Sequence, residues 1–199
     1  MESFDWAMLI LRIGTGPIIL AHGINHARGR ERTTNWLRSI GFRNPELQWL
    51  ASTTSELAVD IALVVGLLTG PAAAALVAVM FVAFWSVHRK DGCFIFRPGE
   101  GWEYVATLAM AGATIAVAGP GSASIDNALG IDTNLNGGVG ALLVAGALAA
   151  AAVQLAVFFR PEADLRRRMV SVAEPAMSSS PRTMSRCARC PAGGTCHDF

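Results

Sequence analysis

Residues 50–88 read LASTTSELAVDIALVVGLLTGPAAAALVAVMFVAFWSVH. Two apolar runs, 50–69 and 71–88, meet at Gly70-Pro71. A helix that crosses a bilayer needs roughly 20 mostly apolar residues, with ~17 as the lower limit. Both runs reach that length. Glycine ends one helix, and proline is tolerated at the first position of the next. The stretch therefore predicts a tight hairpin of two membrane helices. It also carries two carboxylates, Glu56 and Asp60, at positions where lipid or protein interior would surround them.

Working outward, three more apolar runs occupy 6–24, 102–118 and 139–159. The chain is 52% apolar and 16% charged. The five runs take up about half of it, which leaves little for a separate soluble core. The expected fold class is all-α, a polytopic membrane helix bundle spanning 1–160, followed by a basic tail at 161–199. The first run is preceded by Glu2 and Asp5 and lacks a basic flank and a small-residue cleavage site. It is expected to stay as a membrane helix rather than act as a signal peptide.

Charge distribution sets the topology. All but one of the 16 Lys and Arg residues fall in three segments. Arg28, Arg30, Arg32, Arg38 and Arg43 lie in the first long loop, and Arg89, Lys90 and Arg97 in the second. Arg160, Arg166, Arg167, Arg168, Arg182, Arg186 and Arg189 lie in the tail. Basic loops face the cytoplasm. The expected arrangement is a cell-membrane protein with its N-terminus outside and its C-terminus inside. Five crossings satisfy every loop, whereas four or six would put a basic segment outside. The same bias explains the Arg-rich loop without any nucleic acid, and the lipid bilayer is the first partner. The outer loop 122–136 is rich in Gly, Ser, Asn and Asp, with room for a short interfacial helix at 125–129. Residues 162–172 have the pattern of an amphipathic helix on the anionic inner surface.

The remaining basic residue, Arg12, lies inside the first apolar run. Arg12, His22, Glu56 and Asp60 are the candidate catalytic residues. A charge at the bilayer centre costs ~2.5–3.5 kcal/mol on insertion scales, so such groups face the bundle interior and pair. If residue 25 is level with residue 50, a rise of ~1.5 Å per residue puts Arg12 within roughly 5 Å of Asp60 in depth, and His22 equally near Glu56. The expectation is an Arg12–Asp60 ion pair and a His22–Glu56 contact. Such charges either fasten two helices together or line a pocket that holds a ligand or relays protons. Pro17 should kink the first helix beside Arg12. His22 and His26, four residues apart, share a helix face that can hold a metal or haem. His26 also reads as an ordinary polar helix end.

The tail contains Cys187-Ala-Arg-Cys190, followed by Cys196-His197. These four soft ligands suit zinc or an iron–sulfur centre, and the other reading is an unstructured tail. No P-loop, dinucleotide fingerprint, HExxH or nucleophile elbow appears.

LRIGTGPIILAHGINH resembles the first helix of the DoxX family, with Arg12, Gly16, His22 and Gly23 at motif positions. SELAVDIALVVGLLTGPAAAAL is similar to its second helix and hairpin, with Glu56, Gly66, Leu67 and Thr69. DGCFIFRPGEGWEYVATLAMA and GPGSASIDNALG resemble the start and end of its fourth helix. The similarity covers about residues 6–130. Where the family often has Gln-Lys after His-Gly, Asn25 and His26 stand here. The resemblance implies a four-helix membrane core, which makes the fifth helix and the tail additions. It also implies a subunit of a membrane redox system, with quinone or thiol chemistry and a soluble or membrane redox protein as partner. Trp102 and Glu103, where the fourth helix starts, join His26 as candidate cofactor contacts. The alternative function is a non-enzymatic scaffold or assembly partner that docks a soluble enzyme.

Overall fold

The computed structural model describes residues 1–97 and 100–161. The expected helix at 162–172 and the cluster Cys187, Cys190, Cys196 and His197 lie outside the described residues. Seven helices follow one another: α1 Ser3–Arg28, α2 Arg30–Ser39, α3 Pro45–Val65, α4 Thr69–Ser86, α5 Trp102–Ala118, α6 Ile125–Ala128 and α7 Gly137–Phe158. The five expected spans correspond to α1, α3, α4, α5 and α7.

Packing of α1 on α3, α3 on α4, α4 on α5 and α5 on α1 closes a four-helix ring. α7 lies outside it, against α4 and α5. The core of the ring is small and aliphatic, with Leu63, Ala73, Leu76, Ile115 and Ala116 fully buried. A second cluster, Leu37, Phe42, Leu155 and Phe159, ties α2 and the 40–43 turn to the end of α7. The backbone joins there too: Arg43 N–H donates to Phe158 C=O at 2.8 Å and Arg160 N–H to Gly41 C=O at 2.7 Å. Outward-facing positions are apolar, with Ile10 68%, Ile61 58%, Met110 64% and Leu142 73% exposed. Lipid contact requires such a surface. α1, α4 and α7 are long and apolar enough to cross a membrane, and α5 is a shorter apolar helix. α3 is 21 residues long and more polar because it carries Glu46, Glu56 and Asp60. The protein is a multi-pass membrane helix bundle.

Three sequence expectations are corrected. The hairpin does not turn at Gly70-Pro71. It turns at Gly66–Leu68, where Gly66 (φ 71°) and Leu68 (φ 47°) are left-handed. Gly70 and Pro71 fall in the first turn of α4, where the N–H that proline lacks has no helical partner anyway. The Arg-rich segment is not all loop, since ten of its residues form α2. That helix buries Thr33, Thr34 and Leu37 on one side, an amphipathic pattern masked by its arginines. Finally, α1 contains Pro17 and ends at Arg28, a full turn past the end of its apolar run at 24.

Candidate functional site

α3 turns one face into the ring: Thr53, Glu56, Val59, Asp60 and Leu63, spaced by three or four residues, are all buried. Glu56 and Asp60 therefore stand one turn apart on the same face, 6% and 0% exposed. α1 crosses this face closely because its contact residues are glycines. A Cβ on Gly23 would lie 3.1 Å from Glu56 Cβ, and one on Gly16 would lie 2.7 Å from Val64 Cγ2. One turn beyond Gly23, His26 brings Nδ1 to 3.1 Å from Glu56 Oε2, an ion-pair approach without hydrogen-bond alignment. His26 is held from behind by its own carbonyl, which accepts from Trp49 Nε1 at 2.9 Å.

Both carboxylate oxygens of Asp60 and the Thr53 hydroxyl are buried with no hydrogen-bond partner among the described residues. On the α5 side, Tyr104 packs partly buried against the core of the ring. Its hydroxyl pairs with His88 Nε2 at 3.1 Å, and His88 Nδ1 approaches Asp91 Oδ2 at 3.5 Å. A polar line thus joins the basic 87–101 segment to Tyr104 on α5. Burying unpaired carboxylates is costly, so these groups call for a proton, a cation or a hydrogen-bond donor.

The expected Arg12–Asp60 pair does not form. Arg12 is 0% exposed and spans the opposite end of the bundle. Its Nη1 donates to Leu63 C=O at 3.2 Å, and Nη2 donates to Ala123 C=O. Asp126, on α6, meets the same corner, since its backbone N–H donates to Gly66 C=O at 2.9 Å. The cause is register. Because α1 ends a turn later than its apolar run, every α1 residue sits about one turn further along α3. Gly16 passes Asp60, and Arg12 reaches the Gly66 corner, where a Cβ would collide with its guanidinium.

The expected His22–Glu56 contact is replaced by His26–Glu56 for the same reason. His22 is exposed on the outer face of α1. Trp102 packs edge-on against Phe84, with ring centroids 6.4 Å apart. The Glu103 carboxylate accepts from Ile95 N–H at 3.0 Å and secures the preceding segment. Neither joins the buried cluster. Among the described residues no group of three or more His, Cys, Asp or Glu is placed to hold a metal ion.

Thr53, Tyr104, His88 and Asp126 escaped the sequence reading. Tyr104 is the chain's one tyrosine, and Asp126 is one of two acids in the loop 122–136, which has no basic residue. Those were the available signals.

A ring of apolar helices with two buried carboxylates inside it defines a class: a polytopic membrane helix bundle. Over residues 7–89 the chain matches the model of the DoxX family. The match covers most of α1, all of α2 to α4, and the first two of the four family-like stretches quoted above. It ends before α5, so α5, α6 and α7 lie beyond it. No curated protein and no solved structure matches the chain.

Proposed function

We propose that the protein is an integral membrane subunit of a redox system and that its buried cluster receives a quinone or a small thiol compound. The observation that carries this reading is the Glu56/Asp60 pair, one turn apart and buried, with both Asp60 oxygens and Glu56 Oε2 lacking a hydrogen-bond partner. Intramembrane ionisable groups mark substrate and proton pathways by default. The chemistry fits a quinol or thiol: the carboxylates accept from its O–H or S–H, and His26 borders Glu56 as a proton-bearing group. The DoxX resemblance supports the redox setting. Glu56 takes the role of proton carrier, with His26 beside it, and Asp60 orients the substrate. Arg12 acts at a distance from these groups, as a clamp on the opposite end.

The test is quinone content and quinone reduction by the reconstituted protein, compared with Glu56→Gln and Asp60→Asn. Expected are bound quinone in the wild type and a rate loss of about a hundredfold in Glu56→Gln. Unchanged rates in a folded Glu56→Gln protein would overturn the proton role. A wild type that binds no quinone or thiol but copurifies with a soluble enzyme would overturn the redox reading in favour of a scaffold.

A further inference from the structure

α7 does not seal against α4 along its whole length. Near the basic end, a groove of about 410 Å³ opens between them, lined by Phe81 and Trp85 on α4 and by Ala152 and Ala156 on α7. The alanines leave space where larger side chains would close the packing, and both are exposed. Two cations bound its mouth, Arg89 and Arg160. The Arg89 guanidinium lies 4.8 Å from the Trp85 ring centroid. Tryptophan with arginine over it marks the headgroup level of a membrane helix. Arg160 follows the end of α7, and its Nη1 donates to Ala156 C=O at 2.7 Å and Phe159 C=O at 2.9 Å. Its Nε and Nη2 make no hydrogen bond to the described residues, and neither arginine has an acidic partner among them. The rim is fixed, because the Arg160 and Arg43 backbone bonds tie it to the 41–43 turn.

We propose that this groove is a binding site for one anionic phospholipid, with an acyl chain along Phe81, Ala152 and Ala156 and the phosphate between Arg89 and Arg160. Shape and charge favour this occupant over a protein helix. The slot is apolar along its length and doubly cationic only at headgroup level, which is the charge pattern of a lipid. The bilayer also supplies lipid there at high local concentration. Each arginine near the surface favours anionic lipid several-fold, so the pair should give a preference of roughly tenfold over zwitterionic lipid.

The full chain, stripped of lipid in detergent, is offered equal phosphatidylglycerol and phosphatidylcholine, and retained lipid is counted by native mass spectrometry. The expected result is one retained phosphatidylglycerol per chain, with about a tenfold preference. The Arg89→Gln/Arg160→Gln variant should lose the preference, whereas Arg30→Gln/Arg32→Gln, elsewhere on the same end, should keep it. Ala152→Leu/Ala156→Leu should retain neither lipid. Should that variant fail to fold, the arginine pair decides alone. Equal retention of the two lipids by the wild type overturns the proposal, as does a preference that survives in Arg89→Gln/Arg160→Gln. A lipid-free dimer that Ala152→Leu/Ala156→Leu splits also overturns it, by making the groove a subunit interface.

Discussion

Asp126 Oδ2 accepts a hydrogen bond from the backbone N–H of Thr69, the first residue of α4, at 2.8 Å. Its Oδ1 accepts from Leu68 N–H at 2.7 Å, and its own N–H donates to Gly66 C=O at 2.9 Å. One carboxylate therefore caps α4 and holds Leu68 in a left-handed conformation that costs a non-glycine residue about 1–2 kcal/mol. Asp126→Ala should destabilise the protein by about 2 kcal/mol, with Asn recovering part of the loss, as read by thermal unfolding in detergent. A wild-type melting profile for Asp126→Ala would refute the cap.

Arg12 and Asp126 meet the same Gly66 corner, Arg12 through its guanidinium and Asp126 through its backbone N–H. In double-mutant cycles, Arg12→Ala and Asp126→Ala should show an interaction energy of about 1 kcal/mol or more, because they share one network. Arg12→Ala and Asp60→Ala should add within ~0.5 kcal/mol. Strong coupling of Arg12 to Asp60 instead would mean that α1 and α3 sit one turn away from the register described.

Two glycines of α7 make a matched pair. A Cβ on Gly140 would overlap the Ala116 carbonyl of α5, a backbone group that cannot move cheaply, whereas a Cβ on Gly146 meets nothing within 4 Å. Gly140→Ala should cost about 1–3 kcal/mol by forcing the helices apart. Gly146→Ala should be neutral or stabilising by up to about 1 kcal/mol through helix propensity. Unfolding of the two variants side by side tests the α5–α7 contact, and equal stabilities would argue against it.

Orientation across the membrane is tested at Cys93, a half-buried free thiol in the basic segment between α4 and α5. With Cys187, Cys190 and Cys196 changed to Ser, a membrane-impermeant maleimide should leave intact cells unlabelled and react after permeabilisation. Labelling of intact cells would invert the proposed topology.

The helices were legible in the sequence because membrane spans announce themselves locally. Apolar length, Gly and Pro positions and loop charge are properties of single segments. The 102–118 span coincides with α5, and the short helix expected at 125–129 appears as α6. α2 was missed because five arginines in and around it outweigh a short amphipathic pattern. The site was only partly legible. That Glu56 and Asp60 share a buried face follows from their spacing of four. Which residue meets them does not, because that depends on the register of two antiparallel helices, and a one-turn error exchanges His22 for His26 and moves Arg12 from Asp60 to the Leu63 and Ala123 carbonyls.

By itself, then, the sequence determined a membrane bundle with acids inside it, since burying apolar length and segregating charge are local demands on the chain. Only the tertiary structure decided the partners. The close approach at Gly16 and Gly23, the length of α1 past its apolar run and the return of the 122–130 segment over the Gly66 corner are relations between distant residues. They set which polar groups are satisfied at one end of the bundle and which are left open in its middle.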